Sequence, residues 1–228
     1  VTPDGPVLAL ESSGRACGVC VWRAGAVLAR ADHTRDHGHA ELLAPLVRDT
    51  MATAGVSFDA LSAIAVTVGP GSFTGLRVGL ALARGLGLAA GCPVRGATTT
   101  AVLAAMARAA APVATPVAVV LDARRADVYL HVFDAAGAPL DAPVSLAPAD
   151  ALAALPTEPL WLTGDGVALL PRPLPPTATV APDADRAPDP AVLAALVAHD
   201  PTAALPPRPL YVRPPDAALP PPNARARA

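Results

Sequence analysis

The residues of this chain best suited to chemistry lie in three turns. The first, VGPGSFTGLRVG at residues 68–79, sets four glycines and a proline between an apolar run and a long Ala/Leu/Gly segment. A glycine-rich turn that opens a helix can offer its backbone N–H groups to a phosphate. It can equally serve close packing. The second, Glu11-Ser12-Ser13-Gly14, ends a short apolar run, and its hydroxyls suit either a phosphate or the turn's own N–H groups. The third type holds a single carboxylate at a strand end: Asp122 in DARR and Asp165 in GDGV. Such carboxylates either line a nucleotide cleft or simply form turns, and turn formation is the preferred reading. A Walker site is excluded, because the chain has no lysine and the junction is not G-x-x-x-x-G-K.

Histidine offers one further pattern. His33 and His37 stand four apart, with His39, Asp32, Asp36 and Glu41 close by. On a helix that spacing suits a metal. The stretch ADHTRDHGHAE reads as a polar linker between a strand and a helix, so solvated histidines before a helix N-terminus are expected.

The elements that position these turns follow from periodicity. Val7 to Leu10, Ala16 to Arg23 and Ala26 to Ala31 read as a three-stranded meander. Leu42, Leu43, Leu46, Val47, Thr50, Met51 and Ala54 hold one face of a helix from about His39 to Ala54. Pro45 inside it predicts a late start or a kink, and Gly55 a stop. Ala63 to Val68 is a buried-type strand, and Leu76 to Ala90 a helix ended by Gly91-Cys92-Pro93. Gly75, Gly79, Ala83, Gly87 and Gly91 recur every four residues, making a small-residue ridge that lets another backbone approach. The chain's own sheet and a partner helix are both open as its neighbour.

Only five of the 28 prolines precede residue 112, so the second half is loop-rich. There, Val117 to Leu121, Val128 to Phe133, Leu140 to Leu146 and Leu160 to Thr163 are strand candidates, and Pro190 to His199 a short helix. The order β-β-β-α-β-α, weakly repeated, resembles half of an α/β actin-like fold more than a plain dinucleotide-binding unit. The expected division is a first lobe over 1–111, a degenerate proline-rich lobe over 112–213, and a disordered tail over 214–228.

Composition narrows the function. The 53% hydrophobic content supports a real core, and with 3% aromatic residues it must be filled by Ala, Val and Leu. A net charge of -2 disfavours autonomous nucleic-acid binding. Three cysteines do not make a disulfide framework. Cys17 and Cys20 fall in an alternating strand and point to opposite faces. The first residues, VTPDGPVLAL, have no basic and long apolar leader, and the apolar segment 78–92 is short for a membrane span. A soluble, cytoplasmic protein without membrane contact is expected.

Six motifs taken together, GPGSFTGLRVG at 69–79, VLALESS at 7–13, HAELL at 39–43, DARRADVY at 122–129, GDGV at 164–167 and PLYVRPPDA at 209–217, resemble the TsaB family. That family is the dimerisation subunit of the bacterial tRNA threonylcarbamoyladenosine (t6A) machinery. The resemblance runs over nearly the whole chain in the right order. It implies a two-lobed actin-like (ASKHA, ribonuclease H-like) fold with a degenerate second lobe. It further implies a non-catalytic scaffold and activator that pairs with its catalytic paralogue TsaD and is joined by the ATPase TsaE. Such a complex transfers a threonylcarbamoyl group to the adenosine beside the anticodon of tRNAs reading codons that begin with A. On this resemblance the chain meets tRNA only through the complex, and a homodimer is open when the partner is absent.

The resemblance at HAE and the outward faces of the two helices together suggest a partner surface. The partner surface would comprise His39, Glu41, Leu42, Leu46, Gly75, Arg77, Gly79 and Ala83. Any nucleotide contact would fall on Ser12, Ser13, Gly69 and Gly71, with ATP or ADP at the junction with the partner as the one candidate cofactor. Glu11 stands where the family usually has Asp. The paralogue's two metal-binding histidines fall here on Thr99 and Leu103, so no metal and no catalytic residue is expected. Two competitors remain defined: an actin-like small-molecule kinase or ATPase, which needs a carboxylate base and a magnesium site, and a glycoprotease-like metallopeptidase, which needs the missing histidine pair.

Overall fold

The computed structural model describes residues 5–34, 39–111, 113–200 and 204–213. The expected tail over 214–228 lies outside them, as do Asp36 and His37. The chain opens with the strands β1 (Val7–Glu11), β2 (Ala16–Arg23) and β3 (Ala26–Thr34), which pair antiparallel. Helix α1 (His39–Ala54) follows, then β4 (Ala63–Thr67), helix α2 (Phe73–Ala90) and β5 (Val94–Ala97). The first sheet has the order β3-β2-β1-β4-β5, with β4 parallel to both β1 and β5.

Both faces of this sheet are covered, which is why β1 and β4 read as unbroken apolar runs rather than alternating ones. Leu8, Leu10, Val19, Val21, Ile64 and Val66 face one way, towards Leu43, Val47 and Met51 of α1 and Leu80 and Ala83 of α2. Val7, Ala9, Cys20, Trp22, Ala63 and Ala65 face the other way. Cys17 and Cys20 do fall into these two opposite cores.

Helix α3 (Thr99–Ala110) leads to the second sheet: β6 (Val117–Asp122), β7 (Val128–Phe133), β8 (Val144–Leu146), β9 (Leu160–Thr163) and β10 (Ala178–Val180). Its order, β10-β9-β6-β7-β8, repeats the first sheet strand for strand, with the same antiparallel and parallel pairings. The degenerate character lies in the helices. Where the first lobe has the 16-residue α1, the second has only α4 (Pro148–Ala153), and where it has the 18-residue α2, the second has one 3-10 turn at Val167–Leu169.

The chain then returns to the first lobe. Helix α5 (Pro190–His199) buries Leu193, Ala194, Val197 and Ala198 against the Val7/Ala9/Cys20/Trp22 face of the first sheet. Beyond it, residues 204–213 form a strap along the sheet's edge: Gly96 and Leu205 exchange backbone hydrogen bonds of 2.7 and 2.8 Å, and Leu210 N–H donates to Val68 O at 2.7 Å. The expected division at residue 112 therefore places α5 and the strap on the wrong lobe. Their local pattern announces burial but cannot say against which sheet.

Helix α1 runs unbroken through Pro45, whose ring is exposed, and Gly55 stops it at φ 64°. Helix α2 begins three residues earlier than its apolar period suggests, because the Ser72 hydroxyl accepts from Gly75 N–H and caps it. Among the described residues α2 is the one helix long and apolar enough to cross a membrane by length and composition. Its small-residue face is spent on the first sheet.

Candidate functional site: the interlobe cleft

A cleft of about 1190 Å³ opens between the lobes, lined by the β1 turn, the glycine junction, α3's first turn, the DARR and GDG turns and the strap. On the first-lobe side the two candidate phosphate turns are clamped onto each other. Ser12 Oγ donates to Gly75 O at 2.9 Å, and Ser72 N–H donates to Ser13 O at 2.7 Å. A Cβ at Gly71 would collide with Ser13 O, and one at Gly75 with Ser12 O. The glycines are there so that two backbones can touch. Ser13 and Gly71 line the cleft, but Ser12 and Gly69 do not: Ser12 is buried beneath α2, and Gly69 (φ 113°) sits under Leu210 of the strap. Nucleotide contact at Ser12 and Gly69 is thus corrected by packing.

Glu11 is sealed under the same clamp. Its Oε1 accepts from Ser13 N–H at 2.7 Å and from Ser13 Oγ, while Oε2 is buried without a partner. Burial pushes this carboxyl up to about 7, against the smaller opposing pull of the Ser13 and Thr67 hydroxyls and the Ser13 backbone. It does not reach the cleft and cannot serve a metal there.

The small-residue ridge also faces inward. Gly75, Gly79, Ala83 and Gly87 are buried, with Ser12 and Val66 packed against Gly79 and Val94 against Gly87. Gly75, Gly79 and Ala83 are therefore removed from the partner surface: the close approach they permit is to the chain's own sheet. What α1 and α2 do leave outward is Glu41, exposed, with Leu42, Leu46, Val78, Leu82 and Leu86 half-buried. The two helices lie side by side, as expected. The side chain of His39 lies outside the described residues.

On the second-lobe side, Asp165 Oδ1 accepts from Asp122 N–H at 2.9 Å, and Asp122 Oδ1 accepts from Arg124 N–H at 2.7 Å. The Arg124 guanidinium reaches Asp165 Oδ2 at 3.0 Å and Asp122 Oδ2 at 3.4 Å. Arg124 holds this position from a left-handed backbone, φ 59°. One residue's cation thus bridges the two carboxylates that a magnesium ion would need, and a metal does not fit here. Thr99 and Leu103 supply no alternative: Leu103 is packed in the core with Val117, Val119 and Phe133. Among the described residues no cluster of three His, Cys, Asp or Glu side chains has metal-binding proximity. We expect chelator-treated and untreated chain to show the same elemental analysis, without stoichiometric zinc or iron.

The cleft rim joins residues that stand far apart in the chain. Arg77 lies with its guanidinium carbon 3.7 Å from the Phe73 ring centroid, and its Nε donates to the Tyr211 hydroxyl at 3.0 Å. The Phe73 and Tyr211 rings are 5.9 Å apart at 31°. Tyr211 and Arg77 are 134 positions apart, and only the strap's return joins them. Tyr211 belongs to PLYVRPPDA, one of the six motifs that carry the TsaB resemblance, but local pattern does not say which residues it meets.

Two like sheets of order 3-2-1-4-5 around a central cleft define the actin-like, ASKHA class of proteins. Within that class, residues 27–155 match the family model described as TsaD, tRNA N6-adenosine threonylcarbamoyltransferase. The chain belongs to this family, and its resemblance to TsaB is borne out. It is 38% identical over 125 residues to the tRNA threonylcarbamoyladenosine biosynthesis protein TsaB of Escherichia coli K12, covering 54% of this chain and 52% of that one. It is 29% identical over 127 residues to TsaB of Bacillus subtilis 168, covering 56% and 54%. The chain spans about half the length of these curated relatives. A crystal structure from Pseudomonas aeruginosa, described as an uncharacterized protein with similarity to peptidase YEAZ, superposes with a TM-score of 0.78 at 29% identity, covering 92% of this chain and all of that one.

Proposed function

We propose that this chain is the non-catalytic scaffold and activator subunit of a tRNA threonylcarbamoyltransferase, required for t6A formation beside the anticodon. The observation that carries the non-catalytic part is the Arg124 guanidinium seated between Asp122 and Asp165. With Thr99 and Leu103 where the catalytic paralogue has metal-binding histidines, the cleft lacks that histidine pair, and the Asp122 and Asp165 carboxylates are engaged by Arg124. The names of its relatives support the pathway.

On this reading the partner is the TsaD paralogue, with the ATPase TsaE joining the pair in the cytoplasm. Glu41, Leu42 and Leu46 of α1 and the outer row of α2 are the surface offered to it. ATP or ADP belongs at the junction of the two subunits, since Ser12 and Gly69 are covered within this one.

The test is reconstitution with unmodified tRNA and threonylcarbamoyl-adenylate as donor. The paralogue with this chain should form t6A, and this chain alone should neither form it nor turn over ATP. Robust modification by the chain alone would refute the scaffold role, and an active paralogue indifferent to its presence would refute the activator role.

A further inference from the structure

We propose that the strap, residues 204–213, is a clasp that sets the opening of the interlobe cleft. It is anchored on the first lobe and closed on the second by the ion pair between Arg213 and Asp127. When that pair parts, the lobes separate about the joint that α3 makes between them.

The anchor is built from two rings that an aromatic-poor chain leaves in water, Phe73 57% and Tyr211 49% exposed. Arg77 joins them. Its guanidinium carbon stands 3.7 Å from the Phe73 centroid and 6.0 Å from that of Tyr211, and its Nε donates to the Tyr211 hydroxyl at 3.0 Å. This group ties Tyr211 of the strap to the first two turns of α2. Just before it, Leu210 N–H donates to Val68 O, and Leu205 exchanges two backbone hydrogen bonds with Gly96. The strap is thus fixed to the first lobe along its length. Arg213, two residues beyond Tyr211, is delivered to the cleft wall.

On the second lobe, Asp127 stands just before β7. Its Oδ2 accepts from Ser145 Oγ at 3.2 Å, and its carbonyl accepts from Ala123 N–H at 3.3 Å, so the carboxylate is held in place. The Arg213 guanidinium reaches the same Oδ2 at 3.7 Å. The lobes are also joined through α3. Its Leu103 and Ala107 share a core with Val117, Val119 and Phe133, and its Thr100 Oγ1 meets His131 Nδ1 at 2.7 Å. The two connections differ in kind. The α3 joint is buried, and parting it would expose apolar surface. The Arg213 and Asp127 side chains are 38% and 31% exposed, so water and salt compete for both charges. Opening therefore breaks the clasp first and uses α3 as the hinge.

The experiment uses the full chain and spin-label distances between Thr53→Cys on α1 and Asp150→Cys on α4, both exposed. Cys92 is replaced by serine, and Cys17 and Cys20 are buried. At low salt the parent chain should give one narrow distribution. Arg213→Gln should raise the population at longer separations about two- to fivefold. Arg213→Asp should raise it further, and high salt should widen the parent distribution. Tyr211→Ala, which keeps both charges and releases the anchor, should widen it as well. Because Arg213 has a contact besides Asp127, the deciding variant is the swap Arg213→Asp/Asp127→Arg, which should restore the parent distribution. Melting temperatures of the charge variants should stay unchanged, which separates lobe opening from unfolding. An unchanged distribution in Arg213→Asp, or a widening that the swap does not reverse, overturns the clasp. Widening in Arg213→Asp with none in Tyr211→Ala overturns the anchored strap in favour of a local ion pair.

Discussion

Replacing Gly75 by alanine destabilises the isolated chain, and replacing Gly85 by alanine stabilises it, although both lie in α2. At Gly75 the added methyl meets the Ser12 carbonyl oxygen, a backbone atom that cannot rotate away. Overpacking of this kind costs about 1–3 kcal/mol and exceeds the roughly 1 kcal/mol that alanine gains over glycine in a helix. The clamp must open, and the Ser12 Oγ to Gly75 O bond goes with it. Gly85 is exposed, with nothing within 4 Å of the new Cβ, so only the propensity gain remains. We expect melting to fall by roughly 4–10 °C for Gly75→Ala and to rise by about 2–4 °C for Gly85→Ala. Gly79→Leu should follow Gly75→Ala, and the folded fraction of each should bind the proposed TsaD partner at full strength. Weakened association without loss of melting temperature would return the ridge to the partner surface.

The second large effect is expected from Glu11→Gln, and it depends on pH. The carboxyl titrates at about 7 in the folded chain, against an ordinary value of 4.5. The folded state therefore keeps a proton that the unfolded state releases between these values. Glu11's contribution is fully present below pH 4.5 and is lost as pH rises through about 7. Glutamine carries no charge to desolvate and can accept from Ser13 as Oε1 does. The stability difference between variant and wild type should be near zero at pH 4.5 and reach about 2–3 kcal/mol in the variant's favour by pH 8. His131 works in the opposite direction. Its ring is buried between Thr100 Oγ1 at 2.7 Å and Asp141 O at 2.9 Å, and burial lowers its pKa, so stability falls as pH drops below the ordinary 6.5. Denaturant melts of both proteins at pH 5 and pH 8 isolate the Glu11 term, because His131 is common to both. Equal slopes against pH would show that the buried carboxyl is not protonated in the folded state.

How much was legible depended on range. The meander, α1, β4, α2 and α5 announce themselves through apolar period and stop signals within a dozen residues. β5 does not: VRGA has a charge and a glycine in four positions, and its strand character comes from pairing with β4 and the strap. β10 is three residues long, and α4 is six and opens at a proline, too short for any period to register. The ridge was legible as a face but not as a direction, because a four-residue repeat says which side of a helix is small and nothing about what lies against it. The cleft shows the same boundary. Asp122 and Asp165 each read as a lone carboxylate at a strand end, but the cation that joins them comes from Arg124, bonded across 41 positions to Asp165.

The return of α5 to the first sheet has a consequence for the order in which the protein is made. Val7, Ala9, Cys20, Trp22, Ala63 and Ala65 form an apolar face whose main cover is residues 190–199, with Val102 and Met106 of α3 in the same core. At roughly 5–20 residues per second, the ribosome delivers that cover about 6–25 s after Ala65 has been synthesised. During this interval the first lobe can pair its strands and dock α1 and α2, yet it holds one sheet face bare, and the edge that the strap will pair is open as well. The nascent first lobe is thus the stage at which chaperones have a surface to hold, and a ribosome stalled before residue 190 should present a chain that is protease-sensitive and prone to association, even though its first sheet is fully encoded.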